Sequence, residues 1–241
     1  MEELEFFNLT YTLENWRKVR DIFATVISID KKRMPKFSIY IKSNKFYWSP
    51  QTITYSTLFF ICGVMLFKQK VLNLEHNFID EIFSWLAAST FMFGVILKFY
   101  NLNKIEPLRG KLEGYLSFEK EAITAGSEIY PIENIRKIKI SNDDYVGRLA
   151  HISSGNLGPN LSNGTNNYIV IFFESGTSKR YAFELINSDD FQKERETLID
   201  YHLIGKIDYW ELAHILGEKS TSEIHALNDE INEKRTIKHL Q

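Results

Sequence analysis

The chain has 241 residues, 44% hydrophobic and 25% charged, enough for one sizeable domain or two small ones. Its 29 basic residues are outnumbered by 31 acidic ones, a net charge of -2 that argues against a general nucleic-acid binder, because neutralising phosphates takes a basic surplus. The lone cysteine, Cys62, excludes an internal disulfide and cysteine-rich zinc sites.

The opening MEELEFFNLT is acidic and has no basic region followed by an apolar core, so it does not read as a signal peptide. Residues 4–12, through Leu4, Phe6, Leu9 and Tyr11, predict a strand. Trp16, Val19, Ile22, Phe23 and Val26 recur at helical spacing and predict a helix over 13–29, packed by one apolar face on a domain or a bilayer surface. Residues 31–45 then read as a basic linker carrying Lys31, Lys32, Arg33, Lys36, Lys42 and Lys45. Beside anionic lipid each basic residue gains roughly 1 kcal/mol, so these six are the expected membrane-surface contacts.

Two stretches without formal charge follow, 46–67 and 82–97. The first is long enough to cross a hydrocarbon core of ~30 Å as a helix; the second reaches that length if Lys98 snorkels and Phe99 and Tyr100 extend it. Tyr47, Trp48, Trp85, Phe99 and Tyr100 lie near the ends, where interfacial aromatics belong, and Pro50 suits a first helical turn. Basic residues concentrate before the first stretch and after the second, whereas the connector mixes Lys68 and Lys70 with Glu75, Asp80 and Glu81. The positive-inside rule then sets both termini in the cytoplasm and 68–81 outside. Ser84, Ala88, Gly63 and Gly94 offer small residues for close helix contact, and the absence of a mid-span carboxylate or histidine argues against a proton relay. The competing reading is a pair of helices buried in a soluble core.

From Gly114 the pattern turns to β. Short strands are expected at 115–119, 122–124 and 128–132, with a turn at Ala125-Gly126-Ser127 and with Pro131 at a strand end or edge. Ile135, Ile138 and Ile140 mark another strand, and 168–174 (YIVIFFE) turns through Ser175-Gly176-Thr177 into 179–185 as a hairpin. Residues 141–167 are rich in Gly, Asn and Ser and predict a long mobile loop. Ser188 is placed to cap a helix over 189–202, a second helix over 208–216 closes at Gly217, and Ser220 with Glu223 forms a capping box for a last helix to about 240. Ile224, Leu227 and Ile231 line one face of that helix.

This order of elements resembles the bacterial membrane proteins with a YcxB-like, pleckstrin-homology-like domain. The likeness is carried by LEFFNLTYT, by the two apolar stretches, and by YLSFEKEAITAGSEIYPIENIRKIKI and NYIVIFFESGTSKRYAFELINSDDFQKERETLIDY. It covers roughly residues 3–201. The resemblance implies a partly open β-barrel capped by a helix and brings no catalytic residues. Some pleckstrin-homology domains hold phosphoinositides on basic residues between early strands. Here Lys137, Lys139, Lys179 and Arg180 are the corresponding candidates for an anionic ligand, against the alternative that they keep an exposed sheet soluble.

The expected fold class is α+β: an N-terminal strand, helix and basic linker (1–45), a transmembrane helical hairpin (46–100), a cytoplasmic pleckstrin-homology-like β domain with a capping helix (111–204), and a C-terminal helical extension (205–241). The six histidines show neither HxxxH nor HExxH spacing, and no GxSxG, Walker or dinucleotide fingerprint occurs. No catalytic residue, metal or cofactor is expected. The expected function is non-catalytic binding, scaffolding or regulation at the bacterial inner membrane. Its partners are the lipid bilayer and a second protein or further copies of the chain, with no nucleic acid. The alternatives are an effector or immunity protein of bacterial conflict whose hairpin oligomerises or perturbs the membrane, and a soluble or peripheral enzyme.

Overall fold

The computed structural model describes residues 36–72, 75, 77–150 and 155–239. The strand expected at 4–12, the helix expected at 13–29, and Lys31, Lys32 and Arg33 lie outside the described residues. Strand β1 (Phe37–Lys42) leads into two long apolar helices, α1 (Pro50–Lys70) and α2 (Phe78–Asn101). Strands β2 (Gly110–Phe118), β3 (Ala122–Ala125), β4 (Glu128–Pro131), β5 (Ile135–Ser141), β6 (Val146–Leu149), β7 (Leu161–Asn163), β8 (Asn167–Phe173) and β9 (Ser178–Phe183) follow. Helices α3 (Arg195–Leu203), α4 (Tyr209–Ile215) and α5 (Thr221–His239) complete the described chain. Seven strands form one open antiparallel sheet in the order β4-β3-β2-β1-β9-β8-β5, and β6 pairs with β7 as a separate ribbon.

Strand β1 corrects the expected linker. Its sequence FSIYIK alternates, burying Phe37 and Ile39 and turning Tyr40 and Lys42 outward. The basic residues flank a period-two pattern that places β1 in the middle of the sheet. β1 meets β9 only through Ile39 opposite Phe183 and Tyr40 opposite Ala182. The gap beyond is bridged because the sheet curls until edge strand β4 reaches β9. Tyr130 and Tyr181 hydroxyls meet at 2.5 Å, and the Glu128 carboxylate accepts from both and from Lys179 Nζ. These donors, Lys179 foremost, hold the Glu128 carboxyl down to about 2.

The inner face of the sheet buries Leu116, Phe118, Ile123, Ile138, Ile171 and Phe183. The Phe191 ring stacks on Phe37 with centroids 4.6 Å apart, and α3, α4 and α5 close the core through Leu198, Leu212, Leu227 and Ile231. The C-terminal extension therefore shares the core of the sheet. Gly217 ends α4 at a φ of 74°, and the capping box of α5 forms, with Glu223 N donating to Ser220 Oγ at 3.2 Å and Ser220 N to Glu223 Oε2 at 2.8 Å. The helix expected from 189 begins later. Asp190 accepts from Asn187 N at 2.8 Å, a 3-10 turn spans Asp190–Glu194, and α3 starts at Arg195 without a Ser188 cap.

Helices α1 and α2 lie antiparallel. Lys68 at the end of α1 pairs with Asp80 at the start of α2 at 2.6 Å, and a Cβ built on Gly94 near the end of α2 would touch Thr54 Cγ2 at 3.4 Å. Ser49 accepts from Thr52 N at 3.0 Å and Pro50 fills the first turn of α1. A capping box of Asn77 and Asp80 starts α2 before the expected 82, giving it 24 residues. Gly63 departs from expectation: no atom of the described residues lies within 4 Å of its would-be Cβ, so it faces away from α2. Both helices are long and apolar enough to cross a membrane, and only 11% and 6% of their most apolar windows are buried.

One buried group opposes folding at neutral pH. Glu194 is 3% exposed, its Oε1 has no hydrogen-bond partner among the described residues, and burial pushes its carboxyl up to about 7 from an ordinary 4.5. With the folded value raised, the favourable contribution is full below about 4.5 and is lost as pH rises through about 7. The cost above that range is on the order of 3 kcal/mol. Glu194→Gln is expected to raise the melting temperature by several degrees at pH 8 and to change it little at pH 5, read by thermal denaturation at both pH values.

Candidate functional site

The outer face of the sheet carries the polar cleft. Tyr40 pairs with Ala182, so two residues further along each strand Lys42 and Arg180 project from that same face. Tyr168 on β8 lies beside them, with the Arg180 guanidinium 3.9 Å above its ring centroid. The β6–β7 ribbon forms the opposite wall through Arg148, Ser162 and Asn163, and Glu106 and Arg109, from the segment between α2 and β2, close one end. The cleft is open to solvent on one side and its volume is about 580 Å³.

The ribbon corrects the expectation of a mobile loop over 141–167 for the described residues 141–150 and 155–167; residues 151–154 lie outside the described residues. Its polar residues make a buried network instead of a solvated coil. Asp144 accepts from Ser162 Oγ at 2.7 Å and from Asn166 N at 3.0 Å. Asn167 accepts from Asp144 N at 2.9 Å and donates to Asp144 O at 2.7 Å and Gly164 O at 2.8 Å. Gly164 has a φ of 73°, and a Cβ there would lie 2.3 Å from Leu185 O, so the turn requires glycine. Composition alone marks such residues as loop; their mutual pairing is a tertiary fact.

The same insert docks on the apolar helices. Asn101 Nδ2 donates to Leu157 O at 2.7 Å, Gly158 N to Gln51 Oε1 at 3.0 Å and Tyr55 Oη to Gly155 O at 2.5 Å. The buried Leu157 side chain fits over Gly94, where a Cβ would meet its Cδ1 at 3.5 Å. One continuous segment thus walls the cleft and wedges against both helices.

The four candidates for anion contact do not gather. Lys137 pairs with Asp208 and approaches Glu211 at 4.0 Å, Lys179 pairs with Glu128 at 2.5 Å, and Lys139 is exposed on β5. Only Arg180 enters the cleft, joined by Lys42 from the expected membrane-surface set. Of the other described members of that set, exposed Lys36 lies 6.0 Å from the Tyr115 ring centroid, and Lys45 is exposed with its backbone N–H on Ser43 Oγ. Arg109 and Arg148 were not singled out by the sequence, because one lies in a connector and the other in a segment read as loop. Arg109 pairs with Glu106 at 3.4 Å and lies 5.4 Å from the Tyr47 ring centroid. Arg148 donates to the Asp143 carbonyl, and Lys42 makes no ion pair among the described residues. Four cations therefore line a cleft whose carboxylates are Glu106 and the hydrogen-bonded Asp144. Nearby Tyr40 has its hydroxyl pKa raised, by burial first and by Glu106 second, so it is a neutral hydrogen-bonding group.

Asn167→Ala is expected to cost about 2–4 kcal/mol, since it leaves the amide and the carbonyl of Asp144 unpaired and removes one of the two bonds to Gly164 O, which keeps Leu185 N. Chemical denaturation measures that loss, and limited trypsin digestion is expected to cut faster at Arg148. No protein-family model, curated protein or solved structure matches the chain.

Proposed function

We propose that this chain is a membrane-anchored, non-catalytic binding or regulatory protein of the bacterial inner membrane, with a pleckstrin-homology-like domain on the cytoplasmic side. The observation that carries this reading is the exposure of α1 and α2. Phe59 is 82% exposed and Phe91 62%, a surface that water disfavours and hydrocarbon accepts. In a soluble core these side chains would be covered, and the described residues do not cover them. Phe46, Tyr47 and Trp48 before α1, and Phe99 and Tyr100 at the end of α2, stand exposed at one level of the helix pair, as interfacial aromatics would.

The curled sheet, latched between β4 and β9 and closed by α3, supports a partly open barrel capped by a helix. The excess of Lys and Arg on the sheet side of the helices supports a cytoplasmic sheet domain. The cleft beside the aromatic belt gives that domain a place to bind.

On this reading the chain stays with the membrane fraction through alkaline carbonate and leaves it only with detergent. Recovery in the carbonate supernatant overturns it. In a Cys62→Ser background, Gln69→Cys is expected to react with an impermeant maleimide added to intact cells, and Ser175→Cys only after lysis. The reverse pattern inverts the orientation.

A second reading, an effector whose helices assemble, draws on the open face of α1 around Gly63, flanked by Phe59, Phe60 and Phe67. The exposed Cys62 lies next to it. Copper-phenanthroline oxidation in membranes is expected to leave the chain monomeric if it is a simple anchor, and to give a Cys62-dependent dimer if α1 self-associates.

A further inference from the structure

We infer that residues 155–158, in the segment between β6 and β7, are a further membrane-embedded element. They descend past the interfacial aromatics into the acyl-chain region and are held there by polar side chains of α1 and α2. The inference rests on the membrane-anchored reading and adds to it a lipid-contacting surface outside both helices.

The depth comes from counting along the helices. A hydrocarbon core of ~30 Å takes about 20 helical residues. Measured back along α1 from Lys68, that length ends near Trp48; measured along α2 from Glu81, it ends near Tyr100. Both ends coincide with the exposed aromatics Tyr47, Trp48, Phe99 and Tyr100, so two independent counts place the same boundary. Gln51, Thr54, Tyr55 and Gly94 all lie on the membrane side of it. Gly94 precedes Phe99 by a stretch of helix roughly 7 Å long. Leu157 reaches that level: a Cβ on Gly94 would meet Leu157 Cδ1 at 3.5 Å and Thr54 Cγ2 at 3.4 Å. Its side chain is buried there, and neighbouring Gly155 is exposed.

The chemistry at that level is what non-helical backbone requires in hydrocarbon, where its polar groups must be paired within the protein. Tyr55 Oη donates to Gly155 O at 2.5 Å and Asn101 Nδ2 to Leu157 O at 2.7 Å. Gly158 N donates to both Gln51 Oε1 and Asn156 Oδ1 at 3.0 Å. Thr54, 3% exposed, turns its hydroxyl back on Pro50 O at 2.8 Å. The polar side chains that make α1 an imperfect apolar span thus answer the polar backbone of residues 155–158, and neither set is left to lipid. In water the same carbonyls would find partners in solvent. Charge is also absent where it would be costly: no Lys, Arg, Asp or Glu occurs between Arg148 and Glu174.

The test uses the full chain with Cys62→Ser, reconstituted in phosphatidylethanolamine–phosphatidylglycerol vesicles and labelled at a single new cysteine with a nitrobenzoxadiazole fluorophore. Gly155→Cys reports the segment, Phe59→Cys the middle of the bilayer and Ser175→Cys the aqueous side. Each is quenched in parallel by a phospholipid bearing a nitroxide at acyl carbon 5 and by iodide present on both faces. The ratio of nitroxide to iodide quenching at Gly155→Cys is expected to exceed that at Ser175→Cys at least threefold. A smaller ratio, with Phe59→Cys in lipid, overturns the inference and leaves the anchor standing. If Phe59→Cys also gives the aqueous ratio, the membrane reading falls and takes the inference with it. Adding Gln51→Leu/Asn101→Leu makes both helices more apolar, yet it is expected to lower the ratio at Gly155→Cys at least twofold and to leave Phe59→Cys unchanged. An unchanged ratio at Gly155→Cys overturns the role of those two side chains in holding the segment at depth. If labelled Gly155→Cys loses its near-ultraviolet circular dichroism, Asn156→Cys replaces it under the same criteria.

Discussion

The pairing of β1 with β2 is the constraint on which the rest of the structure depends. The chain leaves the sheet after Lys42 and returns at Gly110, and these two residues are register partners. Ser43 N donates to Arg109 O at 2.9 Å just beyond, closing the excursion of residues 43–109. A Cβ on Gly110 would lie 2.2 Å from Ile41 O, so the closure depends on a residue without a side chain. Because β1 stands at the centre of the sheet, the strands β4-β3-β2 and β9-β8-β5 are joined by backbone pairing through it, and β4 and β9 touch otherwise through the side chains of the Glu128 latch. The apolar helices are consequently attached at two adjacent points in the middle of the fold, where they deform neither edge.

Two buried carboxylates show how differently the fold treats charge. Asp144 accepts hydrogen bonds from Ser162 Oγ and Asn166 N, and these neighbours in turn fix the ribbon. Glu194 is buried with one oxygen unpartnered among the described residues, and burial raises its proton affinity. The first arrangement organises a surface; the second weakens the core as pH rises. Glu128 stands between them, exposed yet held by three donors that latch the curled sheet. Its depressed value means that this latch is present above about 4.5 and is lost as pH falls through about 2.

Much of the fold was legible where the signal is local. The β3, β4, β8 and β9 strands, the turn at Gly126 and the capping box at Ser220 follow from alternation, glycine and side-chain capping, which act within a few residues. Strand β1 was hidden because Lys36, Lys42 and Lys45 drew attention to charge, although Phe37 and Ile39 mark the buried face. The ribbon was hidden because Asn, Ser and Gly signal loop until they bond to one another across the chain. The cleft was least legible. Lys137 and Lys179 are neutralised by Asp208 and Glu128, residues distant in sequence, while Arg109 and Arg148 join Lys42 and Arg180 only after the sheet has formed. Pairing of charges across strands is set by register, which a single sequence states only indirectly.

The segment that carries Arg148, Leu157 and Ser162 belongs at once to the cleft and to the seam between α1 and α2. Reciprocity then applies: whatever free energy an occupant spends in shifting that segment is also the free energy by which helix separation alters the occupant's hold. Leu157 sits where Thr54 and Gly94 come together, so the spacing of the helices is set in part from outside them. In the proposed setting bilayer thickness acts on the helices through their tilt, and Leu157 passes that input to the wall of the cleft.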